Sequence, residues 1–519
     1  MKYVSKKAMR QFSLPGIVFV VAFLSAAPVR AASGAGDVVG KVTVGYQGWF
    51  ACTGDGAPIN GWWHWANNWG SPPSPTNQGI KSWPDMREYD KSYQTAYANL
   101  GNGQGAKLFS SFDQSTVNTQ FGWMHQYGID CAALQRFNPV GGEGPTRDSM
   151  AAKVRIAAEA NSVKFYIMYD ATGWTSMQTQ MKTDWTNKMS ALASSSMYAK
   201  QNGKPVVCIW GFGFNDSNHP WDSATCIDVV NWFKAQGCYV IGGVPREWRT
   251  GTGGSRPGFL GVYHAFNMLS PWLIGAFSDA NGANGIYSNF IVPDQADCNA
   301  NGVDYQPCVL PGDNSLRQRT HGNLMWLEFY NAIKAGCQGI YISMFDEFNE
   351  GNQIAKTAAD ATAIPTGTTF ISLSDEDGTA CSSDYYLRLT GDGGKMLKGQ
   401  IALTSVRPTQ PVASAGVLSS DYESTFETRC TFDVIASKYG AIIRYSTPLD
   451  NSAIDVNVAT SSGRVVRHLH EAGIASGQHS MQWNAGPEAC GLYIVTMALS
   501  GSRSQDHVVR NGKIVLLKR

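Results

Sequence analysis

Charge is scarce in this chain. Only 16% of its 519 residues are Asp, Glu, Lys or Arg, against a usual share of about 25%. Basic and acidic residues number 41 and 40, a formal net charge of +1. A phosphate backbone demands clustered positive charge, and no basic block occurs, which argues against a nucleic-acid partner. No apolar run reaches the roughly 20 residues that span a bilayer. Several short motifs are missing as well. No GxGxxG or GxxxxGK(S/T) stands at a strand–helix junction, so a doubly wound nucleotide-binding fold lacks support. No GxSxG elbow marks a serine hydrolase, and no CxxC pair marks a zinc ribbon or a thioredoxin-like site. The nine His are scattered apart from His468 and His470. His64 therefore has no second His at ligand spacing, and a catalytic metal is not expected. Asp375-Glu376-Asp377-Gly378 has the oxygen ligands for Ca²⁺, but it reads more simply as an acidic turn.

Aromatic residues are plentiful instead: 16 Trp, 21 Tyr and 22 Phe, 11% of the chain. With 43% hydrophobic residues there is ample material for a large core, which excludes global disorder. A Trp-rich, charge-poor surface suits a neutral ligand with apolar faces, sugar rings being the usual case. The first residues read as an address. Lys2, Lys6, Lys7 and Arg10 precede the apolar run Leu14 to Phe23, and Val29-Arg30-Ala31 suits a cleavage site. A signal peptide of residues 1–31 and a secreted or cell-surface location are expected. Eleven cysteines fit an oxidising compartment. Cys298 with Cys308 is the expected local disulfide, with Cys226–Cys238 as another. Cys131, Cys208 and Cys337 read as core thiols.

From about residue 40 to 345, short β-like runs alternate with helical segments. Strands are expected at Val42–Tyr46, Lys107–Phe112, Ile129–Leu134, Lys164–Tyr169, Pro205–Trp210, Cys238–Gly242, Trp272–Phe277, Val303–Val309 and Gly339–Phe345. Helices are expected at Asp148–Asn161, Asp184–Lys200, Thr225–Gln236 and Gly322–Ala335. Such alternation predicts a parallel sheet, and its extent predicts an α/β fold, a (β/α)₈ TIM barrel. Nine runs are one too many, so Lys107–Phe112 or Val303–Val309 is an addition. The barrel with its wrapping tail should occupy 32–404. A linker with Pro408 and Pro411 follows at 405–420. Residues 421–519 hold six or seven short strands and predict a small all-β, Ig-like sandwich.

The densest chemistry is Phe345-Asp346-Glu347-Phe348-Asn349-Glu350-Gly351, directly after the last barrel strand. In a barrel this is the strand's C-terminal end, where active sites lie. Three carboxylates within five residues raise at least one pKa by mutual repulsion. A raised carboxylic acid beside an ionised partner can open a glycosidic bond. Glu347 and Glu350 are three residues apart, so one helical turn aims both the same way. A solvated acidic loop is the plainer alternative, and the flanking Met344, Phe345 and Phe348 argue against it. Near the first strand, Tyr46 to Phe50, Trp62-Trp63-His64-Trp65 and Trp69 form an aromatic group among Gly, Asn and Pro. It reads either as sugar-stacking platforms or as a capped barrel bottom. Polar residues at other strand ends include Arg136, Asp170, Trp210, Arg246, Trp248 and Arg249.

These motifs resemble the glycoside hydrolase family 71/99-like proteins, which include endo-α-mannosidases. The likeness spans about 40 to 400. It rests on the acidic motif with Gln353-Ile354, on Tyr46 to Phe50, Trp63-His64-Trp65, Pro84 to Asp90, Gln135-Arg136-Phe137, Tyr169-Asp170 and Trp210 to Gly213. Val244 to Arg249, Ser270-Pro271-Trp272 and the tail Leu373 to Lys398 resemble uncharacterised members often labelled xylosidases or xylanase-like. The resemblance implies a (β/α)₈ glycosidase with Glu347 and Glu350 as catalytic carboxylates. Glu347 would take the proton of the sugar 2-hydroxyl, and Glu350 would serve the leaving oxygen. It also implies retention through a 1,2-anhydro sugar. Phe348 and Asn349 depart from the Trp and His usual in that motif, which leaves mannose specificity open. Residues 421–519 resemble FlgD-type Ig-like and secretion-sorting domains of exported bacterial proteins, through Gly463 to Arg467, Gly477-Gln478-His479, Trp483-Asn484 and Gly491-Leu492-Tyr493.

The expected function is therefore hydrolysis of a neutral polysaccharide or glycan, with no cofactor, because proton transfer is the whole chemistry. Tyr46, Trp49, Trp63, His64, Trp65, Asp170, Trp210, Arg246 and Trp248 are the expected substrate-binding residues. The C-terminal domain would engage secretion or surface-anchoring machinery. Two alternatives remain: a non-catalytic carbohydrate-binding surface protein, which needs the aromatic loops but not the paired acids, and a surface scaffold.

Overall fold

The computed structural model describes residues 33–412 and then 432–437, 440–447, 452–461, 464–485, 491–500 and 507–516. The expected signal peptide, 1–31, and the linker from 413 onward lie outside the described residues. Two compact units divide the chain, with the main boundary between Pro411 and Val412. No described helix is long and apolar enough to cross a membrane.

The first unit is built on strands Val42–Tyr46 (β1), Cys131–Arg136 (β4), Lys164–Asp170 (β5), Lys204–Trp210 (β7), Tyr239–Pro245 (β8) and Met268–Trp272 (β9). Short strands Asp304–Tyr305 (β10), Cys308–Val309 (β11) and Ile340–Ile342 (β12) complete it. The minor strands Tyr93–Gln94 (β2) and Lys107–Leu108 (β3) pair with each other outside this sheet, and Lys200–Gln201 (β6) flanks β7 antiparallel. The order is β10-β9-β8-β7-β5-β4-β1-β12-β11, and every neighbouring pair on that path is parallel. Of the two surplus runs, Lys107–Phe112 is thus the addition. The stretch 304–309 has a different role. Its first half pairs with β9 at one edge of the curled sheet, and its second half pairs with β12 at the other. Pro307 lies between the halves and has no N–H to continue a ladder. The result is a distorted (β/α) barrel-like core.

Strands β1, β4 and β8 are buried along their whole length, as expected where helices cover the outside and side chains fill the inside. The helices are Gln114–Gln126 (α1), Gly144–Asn161 (α2), Met177–Asp184 (α3), Ser223–Ala235 (α4), Leu260–Tyr263 (α5), Ala280–Ile286 (α6), Val292–Asn301 (α7), Asn323–Ala335 (α8) and Tyr385–Leu397 (α9). The run expected at Trp272–Phe277 is displaced to β9, because Pro271 tolerates a position in this sheet that sequence pattern disfavours. The helix expected at Asp184–Lys200 instead ends near its start and continues as π and 3₁₀ turns to Ser194. Asp184 is held by the barrel wall. Arg136, the last residue of β4, donates to both its carboxylate oxygens at 2.6 and 2.5 Å, and Tyr169 donates at 2.9 Å. Arg136 also reaches Asp148 on α2, so one buried guanidinium joins a stave to two covering helices. Losing one partner of such a buried pair costs roughly 3–5 kcal/mol.

The second unit contains seven strands: Phe432–Ser437 (β13), Gly440–Thr447 (β14), Ser452–Thr460 (β15), Val465–Ile474 (β16), Gly477–Asn484 (β17), Gly491–Ser500 (β18) and His507–Leu516 (β19). They form two antiparallel sheets, β13-β14-β17 and β16-β15-β18-β19. Alternate residues Ile454, Val456 and Val458 of β15 and Val495, Met497 and Leu499 of β18 are buried. They share one apolar cluster with Ile443, Tyr445 and Trp483 from the other sheet.

The expected disulfides do not form. Cys298 lies on α7, Cys308 on β11, Cys226 on α4 and Cys238 just before β8, and all four are free thiols. A bridge needs Cα atoms within about 7 Å and Cβ atoms turned toward each other. These side chains instead pack into separate parts of the core. Burial pushes the thiols of Cys226, Cys238 and Cys308 up to about 12. Cys52, Cys131, Cys208 and Cys337 are free as well. Alkylation without reductant should label these eight cysteines when the chain is unfolded, whereas the native chain should resist labelling. Mass spectrometry of the two digests reads the difference.

Candidate active site at the strand ends

Six parallel strands send residues into one cleft of about 290 Å³. Gln47 and Trp49 follow β1, Gln135 and Phe137 close β4, and Asp170 ends β5. Trp210 ends β7 and Trp272 ends β9, while Ser343, Met344, Glu347 and Glu350 follow β12. All are at or just past the C-terminal ends of their strands, the catalytic face of barrel enzymes.

The three carboxyls of the acidic motif have separate environments. Asp346 is fully buried and accepts the backbone N–H groups of Gln47 and Gly48, each at 2.8 Å. Gly48 has φ +57°, a conformation that glycine adopts without strain. It lets two successive N–H groups converge on one carboxylate. Burial pushes Asp346 up to about 6 against these bonds. Glu347 is 4% exposed and accepts a hydrogen bond from Gln47 Nε2 at 2.7 Å. Burial, then the charges of Glu350 and Asp346, raise its pKa well above the ordinary carboxylate range. Glu350 is exposed and accepts from Asn352 at 3.3 Å. It also lines a second cleft of about 480 Å³ with Lys81, Phe277, Asp313 and Asn352. Phe348 and Asn349 anchor the motif from behind. Phe348 sits among Phe50, Trp65 and Phe109, and Asn349 donates to the carbonyls of His64 and Gly79.

The expected binding residues divide into two groups. Trp49, Asp170 and Trp210 line the cleft with both glutamates. Asp170 accepts the Thr172 N–H at 2.9 Å, and burial raises its pKa. Tyr46, Trp63, His64 and Trp65 stand behind the cleft wall. Tyr46 is buried and donates to Gln120 of α1 at 2.6 Å. Trp65 is buried and donates to the Phe109 carbonyl. His64 stacks on Trp49 with ring centroids 3.7 Å apart. Burial, then Arg147, lowers the His64 pKa to about 3, so it is neutral. Trp63 packs with Ala51 and Ala57. Arg246 and Trp248 turn to the flank. Arg246 pairs with Glu247 and covers Phe290, and Trp248 donates to buried Asp294 of α7 at 2.9 Å. Burial pushes Asp294 up to about 7.

Gln135, a strand-end polar residue, lies in the lining, whereas Gln47, Phe137, Trp272 and Ser343 were not among the expected contacts. Their common signal is position: each ends or follows a barrel strand. Four polar atoms of the lining, Gln47 Oε1, Trp49 Nε1, Trp210 Nε1 and Ser343 Oγ, are buried without a protein partner. Such groups are costly to bury unmet and suit a polar ligand. Among the described residues, no group of three or more His, Cys, Asp or Glu is placed to hold a metal. The Asp375–Asp377 turn uses its carboxylates internally, on Ser372, Thr320, Thr379 and His321.

No protein-family model matches this sequence, and no curated protein matches it. Among solved structures it is similar to the GH99 endo-alpha-mannosidase from Bacteroides thetaiotaomicron. The TM-score is 0.51 at 14% identity, over 70% of this chain and 98% of that one. The complex of that enzyme with BIS-TRIS-propane gives the same figures. This likeness concerns the fold: both chains share a barrel-type architecture. The cleft at its strand ends carries buried carboxyls compatible with hydrolysis.

Two outcomes follow from this geometry. Asp346→Ala strips the acceptor from two buried N–H groups and should cost about 2–5 kcal/mol of stability, read by urea unfolding. Glu350→Gln removes the largest charge acting on Glu347, so the Glu347 carboxyl should titrate at lower pH, read by ¹³C-carboxyl NMR.

Proposed function

We propose that this chain is a glycoside hydrolase acting on a neutral glycan, with Glu347 and Glu350 as its working carboxyls. The observation that carries the reading is their shared cleft at the barrel mouth, where an aromatic wall faces one buried and one exposed carboxyl. Trp49 and Trp210 offer apolar faces to a sugar ring, and their indole N–H groups offer donors to its hydroxyls. Asp170 would accept from a hydroxyl on the opposite side of the mouth.

Glu350 lines both clefts, which supports reading it as the group at the bond to be broken, with room for sugar on either side. Glu347 lies deeper, beside the ring whose anomeric carbon reacts. In the proposed route Glu347 accepts the proton of the 2-hydroxyl and O2 attacks C1. The C1–O bond breaks as Glu350 protonates the leaving oxygen. Glu350 then takes a proton from water, whose oxygen adds to C1 as the C1–O2 bond breaks, while Glu347 returns its proton to O2. Two inversions at C1 give retention. We also propose export to the cell exterior, with the C-terminal unit as carrier or anchor.

Glu347→Gln and Glu350→Gln should each lower kcat by at least about 10³-fold while leaving glycan binding intact. Hydrolysis of α-mannans, α-glucans, xylans and arabinans, with NMR detection of the product anomer, provides the assay. Retention is expected, and inversion would exclude the 1,2-anhydro route. The route needs Glu347 ionised and Glu350 protonated at the same time, so kcat/KM should be bell-shaped in pH, falling at both low and high pH. A profile that keeps climbing into alkaline solution would exclude Glu350 as the acid. Binding without turnover of any glycan would instead favour a sugar-binding protein.

A further inference from the structure

Arg147 lies outside the acidic motif and does not line the cleft, yet its side chain is only 2% exposed. It comes from the first turn of α2 and enters beneath the aromatic wall. Its guanidinium carbon lies 4.7 Å from the Phe137 ring centroid and 5.6 Å from that of Trp49, two rings that line the cleft. Trp63 covers it at 5.1 Å. Nε donates to Glu143 at 2.9 Å, and Nη1 donates to the backbone carbonyl of Gln47, also at 2.9 Å. Nη2 is buried without a protein partner.

The Gln47 contact matters most. This residue donates its N–H to Asp346 and its side-chain amide to Glu347. One residue therefore orients two of the three motif carboxyls, and Arg147 grips its carbonyl, whose peptide partner, the Gly48 N–H, also donates to Asp346. A salt bridge needed only for folding would not require a fork enclosed by the rings of the cleft wall. We propose that Arg147 is a positioning residue of the cleft: it fixes Gln47, and through Gln47 the motif carboxyls, and places a buried positive charge behind them. The catalytic consequence rests on reading the cleft as a glycosidase site; the electrostatic consequence does not.

The surrounding charges bear this out. Those facing Arg147 are Glu143 beside it, Asp346 of the motif and Arg136 of β4. Those facing Glu347 are Glu350 and Asp346 from its own loop and Arg147 from α2. Arg147 also favours the ionised forms of Asp346 and Asp170. It thus opposes the burial and like-charge repulsion that raise Glu347.

The test uses the full chain with Arg147→Lys, Arg147→Gln and Arg147→Met. Glutamate labelled with ¹³C at the carboxyl, assigned by Glu347→Gln, reports the Glu347 midpoint without any substrate. Arg147→Met and Arg147→Gln should raise that midpoint by about one unit, and Arg147→Lys should restore it. If the Met variant does not fold, the Gln and Lys pair carries the comparison. Where turnover is measured, Lys should keep the wild-type pH profile but lose about tenfold or more in kcat, because a single ammonium cannot hold both Glu143 and Gln47 in the fork geometry. An unchanged Glu347 midpoint in a folded Gln or Met variant would overturn the proposal. So would full kcat in Arg147→Lys. Absence of turnover in the wild type would bear on the glycosidase reading alone, since the NMR midpoint is read without it.

Discussion

The candidate site depends on one buried carboxylate that ties two strand ends together. Asp346 joins the end of the last strand to the end of the first by accepting two successive N–H groups. Strands β1 and β12 are already hydrogen-bonded neighbours, but their ladder runs only to Val44 and Ile342. Beyond it β1 continues against β4 to Tyr46, and Phe345 N–H still donates to the Gly45 carbonyl at 2.8 Å. Asp346 carries this tie past the ends of both strands. It orients Gln47 so that its side chain meets Glu347, and it aims Trp49 into the cleft. Glu347 and the aromatic wall are therefore set by the same contact.

Around this tie several charged groups are buried rather than exposed. Arg136 with Asp184, Trp248 with Asp294 and Arg147 with Glu143 are buried or half-buried pairings that connect staves, loops and helices. Each has a desolvation cost that only close hydrogen bonding offsets. The same low-polarity surroundings raise Asp346, Asp294 and Glu347 above ordinary carboxylate values. A pKa raised by burial is therefore common in this chain. Glu347 differs from the others because it borders an open cleft beside an exposed partner.

Most of the strand order was legible from apolar runs, because strands buried on both faces must be nearly continuous in apolar residues. The split stave at 304–309 was not, since its pairing with both edges depends on curvature accumulated over the whole sheet. The aromatic loop shows a similar limit. Trp49, Trp63, His64 and Trp65 are equivalent by composition, yet only Trp49 reaches the cleft. Trp65 and Phe348 complete an aromatic core behind it, and His64 supports Trp49 from the back. The disulfide expectation failed for the same reason: nearness in sequence gave no information about which way helix and strand turned their thiols.

By itself, the sequence determined the alternation of strands and helices, the position of the acidic motif after the last strand, and the all-β character of the C-terminal unit. These depend on local periodicity and on the chain's order, which any fold must respect. Tertiary structure alone decided which carboxyl would be buried and which exposed, which tryptophans face the cleft, and that Arg147 stands behind Gln47. Those outcomes depend on contacts between residues 100 to 300 positions apart, and no local pattern encodes the direction in which a side chain will meet a partner so distant in sequence.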